Sequence, residues 1–153
     1  MEKMNSYHGR AESDYHYAKA GLATGEQIGD YNNVAAIAAQ SAEKFLKAIV
    51  AMDFTDDPDI VRLLRTHNLR SLYNKITTKR NLSLSSRDCK WLGDFYFDAR
   101  YPGDNFVTVS KNDALECLEL LEIIKKDTEA ILKDITEDRK KQKEMLKNLK
   151  AFD

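Results

Sequence analysis

Apolar and polar positions recur along most of this chain at steps of three and four, the spacing of helices and not of strands. The longest such run spans residues 31–52, YNNVAAIAAQSAEKFLKAIVAM, and contains neither Gly nor Pro. Val34, Ala38, Ser41, Phe45, Ile49 and Met52 line one side of it, and Ala35, Ala39, Ala42 and Leu46 widen that side into a broad apolar face. Gln40, Glu43, Lys44 and Lys47 gather on a narrow polar strip. The many alanines let neighbouring helices come close, because a methyl group adds little to an interaxial distance. The pattern predicts a central bundle helix.

Weaker periodic segments flank it. Residues 1–9 are polar and read as frayed or extended. A first helix is expected over about 11–27, begun by Ser13 or Asp14, with Tyr15, Ala18 and Leu22 on its inner side. Gly21 and Gly25 each cost a helix interior about 1 kcal/mol relative to Ala, which predicts an early end. Gly29-Asp30 is a turn, and Asp30 or Asn32 caps the central helix. Asp57-Pro58 reads as N-cap and first helical position of a short segment over 59–65. Thr66 is the expected cap of a third helix carrying Leu69, Leu72, Tyr73 and Ile76. A fourth begins at Ser83 or Ser85, carries Trp91, Leu92, Phe95, Tyr96 and Ala99, and stops at Tyr101-Pro102-Gly103. Residues 104–110 read as a short extended crossing in which Phe106, Val107 and Val109 pack. Ser110 or Asn112 caps a long last helix with Ala114, Leu118, Leu121, Ile131 and Ile135 in its stripe. Beyond 134 the stripe thins into a basic end with a late apolar patch, Met145, Leu146, Leu149 and Phe152. The fold class is all-α, a four- to five-helix up-and-down bundle with a long C-terminal helix. It forms one domain over 1–153, with a core of about 10–135 and a basic helical tail over 136–153.

Composition narrows the function classes. The chain has 153 residues, enough for one sizeable core, and its six Gly and two Pro are too few for a turn-rich all-β fold. Lys and Arg number 24 against 25 Asp and Glu, so the net charge of −1 gives no overall pull toward nucleic acid or an anionic membrane. Cys89 and Cys117 stand far apart with no CxxC or Cys/His cluster, and are expected to be reduced, as in a cytoplasm. The N-terminus shows no apolar run of a secretory signal, and nothing approaches the roughly 18 apolar residues of a membrane span.

Most familiar chemistries lack their residues. A di-iron bundle site needs Glu-x-x-His pairs, and no Glu here has His three positions on, so no metal or other cofactor is expected. Phosphate-cradling glycine loops are absent. No local pattern pairs a cysteine with a histidine. Two patches remain. Thr66-His67-Asn68-Leu69 is either a helix start with capping side chains or a bundle end where His67 and Asn68 meet a ligand or partner. Asp98-Ala-Arg100-Tyr101-Pro102-Gly103 is either a helix C-terminus, with Arg100 complementing the dipole, or a site where the planar fork of Arg100 takes a phosphate or carboxylate.

Taken in order, Gln40-Ser-Ala-Glu43-Lys44-Phe-Leu-Lys47-Ala, Thr66-His67-Asn68-Leu69-x-x-Leu72 and Ala99-Arg100-Tyr101-Pro102-Gly103 resemble the HEPN domain (higher eukaryotes and prokaryotes nucleotide-binding) over about residues 10–135. The resemblance implies a bundle of four or five helices, usually dimeric. It also implies frequent pairing with a small nucleotidyltransferase, and either nucleotide binding or RNA cleavage as a toxin. On this reading Arg100, Tyr101, His67 and Asn68 line the ligand end, with Lys44 and Lys47 adding positive charge. The RNase branch of the family places a His four to six residues after an Arg. Arg100 has no His through Val107. Arg62 and His67 have the spacing, but in the connection before the third helix, and they are the catalytic candidates. The expected protein is a cytoplasmic, homodimeric nucleotide- or polyphosphate-binding module with a nucleotidyltransferase partner. The alternatives are a metal-independent RNase toxin and a purely structural module whose basic tail docks an acidic partner.

Overall fold

The alanine-rich run folds as the central helix α2 (Asn32–Asp53) of a computed structural model that describes residues 3–151. Around it lie α1 (Tyr7–Ile28), α3 (Ile60–Arg65), α4 (Leu69–Ile76), α5 (Ser86–Asp98) and α6 (Lys111–Ala151), and all five pack on it. Four helices are long and two, α3 and α4, are short. No strand occurs among the described residues. The fold is all-α, with α1 and α5 antiparallel to α2 and α6 parallel to it. The large core side chains Phe45, Leu46 and Ile49 of α2 are fully buried, together with Leu72 of α4, Leu92 of α5 and Leu121 and Ile124 of α6.

Several boundaries differ from those the pattern predicts. α1 begins at Tyr7 and not near residue 11, because Ser6 caps it by accepting from the Gly9 N–H at 2.9 Å. Ser13 and Asp14 lie inside the helix. Gly21 and Gly25 do not end it. A Cβ at Gly25 would lie 2.7 Å from the Tyr31 ring, so this glycine lets the chain fold back closely, and the helix stops only at Gly29, whose φ of 69° is left-handed. Asn68, not Thr66, caps α4, accepting from the Ser71 N–H at 3.0 Å. Asp59, not Asp57, precedes α3; Asp57 accepts from the Asp59 N–H instead. Ser85 begins α5 with a complete capping box shared with Asp88.

The crossing over 104–110 is not a strand. Of its three apolar residues only Val109 is buried, while Phe106 and Val107 are exposed. Asn32, at the start of α2, is what holds it. The Asn32 amide donates to Ala99 O at 3.0 Å and Val107 O at 2.8 Å, and its oxygen accepts from Val109 N–H at 2.8 Å. Ser110 then caps α6 through the Asp113 N–H. α6 stays helical to Ala151, but every described residue after Ile135 is exposed. Phe152 lies outside the described residues.

Candidate functional site

The polar strip of α2 does not face open water. Its residues take partners from three other parts of the chain, and two of those parts carry the other two sequence motifs. Glu43 and Lys47, one helical turn apart, are each only 5% exposed. Lys47 Nζ donates to Glu43 Oε2 at 3.0 Å, and Glu43 Oε1 lies 2.8 Å from Nδ1 of His67 in the α3–α4 connection. A carboxylate accepts, so the proton of that bond sits on Nδ1, and Nε2 is the ring nitrogen that Glu43 leaves unused. The His67 side chain is 46% exposed. It is therefore a histidine oriented by a buried carboxylate and half open to solvent.

Arg100, just past α5, reaches the same strip. Its Nη2 donates to Gln40 Oε1 at 2.8 Å. Its guanidinium also lies over the Tyr96 ring, 4.8 Å from the centroid, and His67 stacks on that same ring at 4.5 Å with 14° between planes. Tyr96, which the periodicity placed in the apolar stripe of α5, is thus the platform shared by the two motif side chains. Lys44 is tied to Asp14 of α1 at 2.6 Å.

Two clefts flank the Glu43–His67 bond. One of about 440 Å³ is lined by His67, Asn68, Arg70, Lys90, Asp94 and Phe97, among others. The other, of about 400 Å³, lies between the start of α1 and the strip and is lined by Ser6, Tyr7, Arg10, Glu43, Lys44 and Lys47. Both fall within the size range of small-ligand sites. Lys90 is paired with Asp94 at 2.8 Å, while Phe97 is 53% exposed, its ring set against those of His67, Tyr96 and Tyr101. The sequence-predicted residues are therefore distributed. His67 and Asn68 line the first cleft, Lys44 and Lys47 the second, and Arg100 lines neither, held instead against Gln40 and Tyr96. Tyr101 is exposed beyond Phe97, in a smaller cleft of about 230 Å³ with Phe106. Arg62 does not join His67: its ion pair is with Asp59 at 3.7 Å, on an exposed face. Arg10, Arg70 and Lys90 carried no local signal, since single cations on helix surfaces are ordinary.

Two other groups of reactive side chains are accounted for structurally. Burial pushes the thiols of Cys89 and Cys117 up to about 12, which leaves them inert as nucleophiles at neutral pH. His8, Glu12 and Glu129 bring ligand-type atoms within 4.8 Å of one another. Lys125 pairs with both of those carboxylates, so they already share a cation from the chain itself.

An all-α bundle whose polar centre is assembled by its core helix, a histidine-bearing connection and the end of a following helix defines the class of this protein. The family model described as HEPN domain matches residues 4–132, and the chain belongs to that family. No curated protein and no solved structure matches it. Among the described residues, no helix is long and apolar enough to cross a membrane.

Proposed function

We propose that this chain is a HEPN-type nucleotide- or polyphosphate-binding and partner module. It would act as a single-domain homodimer in the cytoplasm, paired with a minimal nucleotidyltransferase in a toxin–antitoxin-like system. The observation that carries the ligand half is the convergence of the three family motifs on one patch with a cleft on each side. In the first cleft Phe97 and His67 offer a nucleobase aromatic surfaces, and Arg70 offers phosphate oxygens a cation, Lys90 being paired with Asp94. On the other side of the Glu43–His67 bond Arg10 supplies positive charge, while Lys44 and Lys47 are already paired with Asp14 and Glu43. Arg100 has donors left beyond the one spent on Gln40. Calorimetric titration with ATP and with tripolyphosphate tests the reading. Arg100→Ala and Arg70→Ala should each weaken binding on the order of tenfold while moving the melting temperature by only a few degrees. Absence of binding to the unaltered protein, or affinity unchanged in both variants, sinks it.

The Glu43–His67 bond favours one second reading, a metal-independent RNase. His67 Nε2 would take the proton of an RNA 2′-hydroxyl. The freed 2′-oxygen would attack the adjacent phosphorus, and the 5′-oxygen would leave with a proton from solvent, giving a 2′,3′-cyclic phosphate and a 5′-hydroxyl. Arg100 would offset charge on the phosphate oxygens. That enzyme arrests growth on expression and cleaves RNA in the presence of EDTA. His67→Ala and Glu43→Gln both abolish the cleavage, and RNA left intact by the unaltered protein removes the reading.

A further inference from the structure

The structure also holds a surface outside the family match. α6 leaves the body at Arg139, which donates to Met52 O at 2.5 Å and so closes the C-terminal end of α2. From Lys140 to Ala151 the helix continues unsupported, for roughly 18 Å at about 1.5 Å per residue. Met145, Leu146 and Leu149 on this overhang are 64%, 60% and 63% exposed.

These residues are not scattered. The buried stripe of α6 runs through Ile124, Thr128, Ile131 and Ile135 at alternating steps of three and four. The same steps lead on to Asp138, Gln142, Met145 and Leu149, so the core seam of the bundle extends past the point where the bundle stops. Along one flank of that extension lie Arg139, Lys143 and Lys150, with Leu146 between them.

We infer that the overhang is a docking rail for a partner's amphipathic helix with acidic flanks. A second copy of this chain fits poorly. Parallel pairing through the stripe would drive two bundle bodies into the same space, because each body sits on the stripe side of its own α6. Antiparallel pairing sets each flank against its own counterpart, and so places Arg139, Lys143 and Lys150 against Arg139, Lys143 and Lys150. Glutamates on a partner helix would meet that flank favourably while its leucines cover Met145 and Leu149. An anionic membrane fits less well, since Asp138 and Gln142 interrupt the apolar face. The inference does not depend on what the two clefts bind.

The test uses the full chain and two synthetic helical peptides with identical leucine seams, one flanked by Glu and one by Lys. A variant carrying Leu146→Asp and Leu149→Asp alters only side chains outside the body and should keep its melting temperature. The Glu peptide should bind the unaltered chain, lose affinity as salt rises, and bind the double variant at least about tenfold more weakly. The Lys peptide should bind at least about tenfold more weakly than the Glu peptide. Equal affinity for the two peptides, or none for the Glu peptide, overturns the inference. So does capture of the chain by phosphatidylserine vesicles without peptide binding, or a dimer in light scattering that the double substitution dissolves.

Discussion

Glu43 and His67 are joined at 2.8 Å across 24 positions of sequence, one from the buried strip of the core helix and one from an exposed connection. Through Lys47 the same carboxylate is held on its other oxygen. Glu43 is thus the hinge pin of the candidate site, and its neighbours predict how the site responds to change.

Removing Glu43 alone leaves the Lys47 ammonium buried without its counter-charge. Glu43→Ala should cost about 3–5 kcal/mol of folding stability. Glu43→Leu combined with Lys47→Met should restore most of it, since a well-packed apolar pair avoids the desolvation of both ions. Urea unfolding of the two variants checks this; equal losses in both would show that the pair is not the source of the effect.

Asn32 should matter more than a polar residue at a helix start usually does. Its three bonds tie the end of α5 and the crossing before α6 to the core helix. Asn32→Ala leaves the Val109 N–H and two carbonyls to find new partners, and about 1–3 kcal/mol should be lost. Hydrogen exchange should rise first over residues 99–109. Uniform exchange across the molecule would contradict the local role assigned to the side chain.

Acid should weaken the end of the bundle nearest the overhang. The hydrogen bond from Arg80, followed by its charge, holds the Asp53 carboxyl below its ordinary value, and Lys75 does the same for Asp57. A depressed folded-state value means that the contribution is fully present above the unfolded carboxylate range of about 3.9, and is lost as pH falls through the lower, folded value. The melting temperature should therefore drop as pH is lowered below about 4, and less steeply in Asp53→Asn. Parallel curves for the two proteins would rule out this source.

The Thr128 hydroxyl is buried in α6 with no hydrogen-bond partner among the described residues. Exchanging it for a methyl removes an uncompensated polar atom at nearly constant shape. Thr128→Val should raise stability by roughly 1 kcal/mol, measured by urea unfolding. A loss of that size would mean that the oxygen has a partner in solution.

Much of this protein is local information. The three-and-four spacing placed the central helix, the fourth helix and the long last one, and low Gly and Pro content excluded a turn-rich fold. Each of those features depends only on neighbours within one or two turns, which periodicity reports directly. The start of α1 escaped because Ser6 and the polar residues after it carry a cap but hardly any apolar rhythm. Gly25 escaped because its task is set by a ring six positions away, not by helix propensity.

The candidate site was legible as three motifs and not as a geometry. That Glu43 would meet His67, that Gln40 would meet Arg100 across 60 positions, and that Tyr96 would serve as platform for two of them follow from how α2, α4 and α5 cross. So does the separation of Arg62 from His67, which local spacing had put together. Periodicity decides which side of a helix is apolar. It does not decide which helix lies against the polar side, because that depends on the packing of all the apolar faces at once. The amino-acid sequence determined the helices, their inner faces and the unusual polar strip; the tertiary structure alone decided that the strip would be buried against a histidine and an arginine, and that the last helix would outrun the core it helps to build.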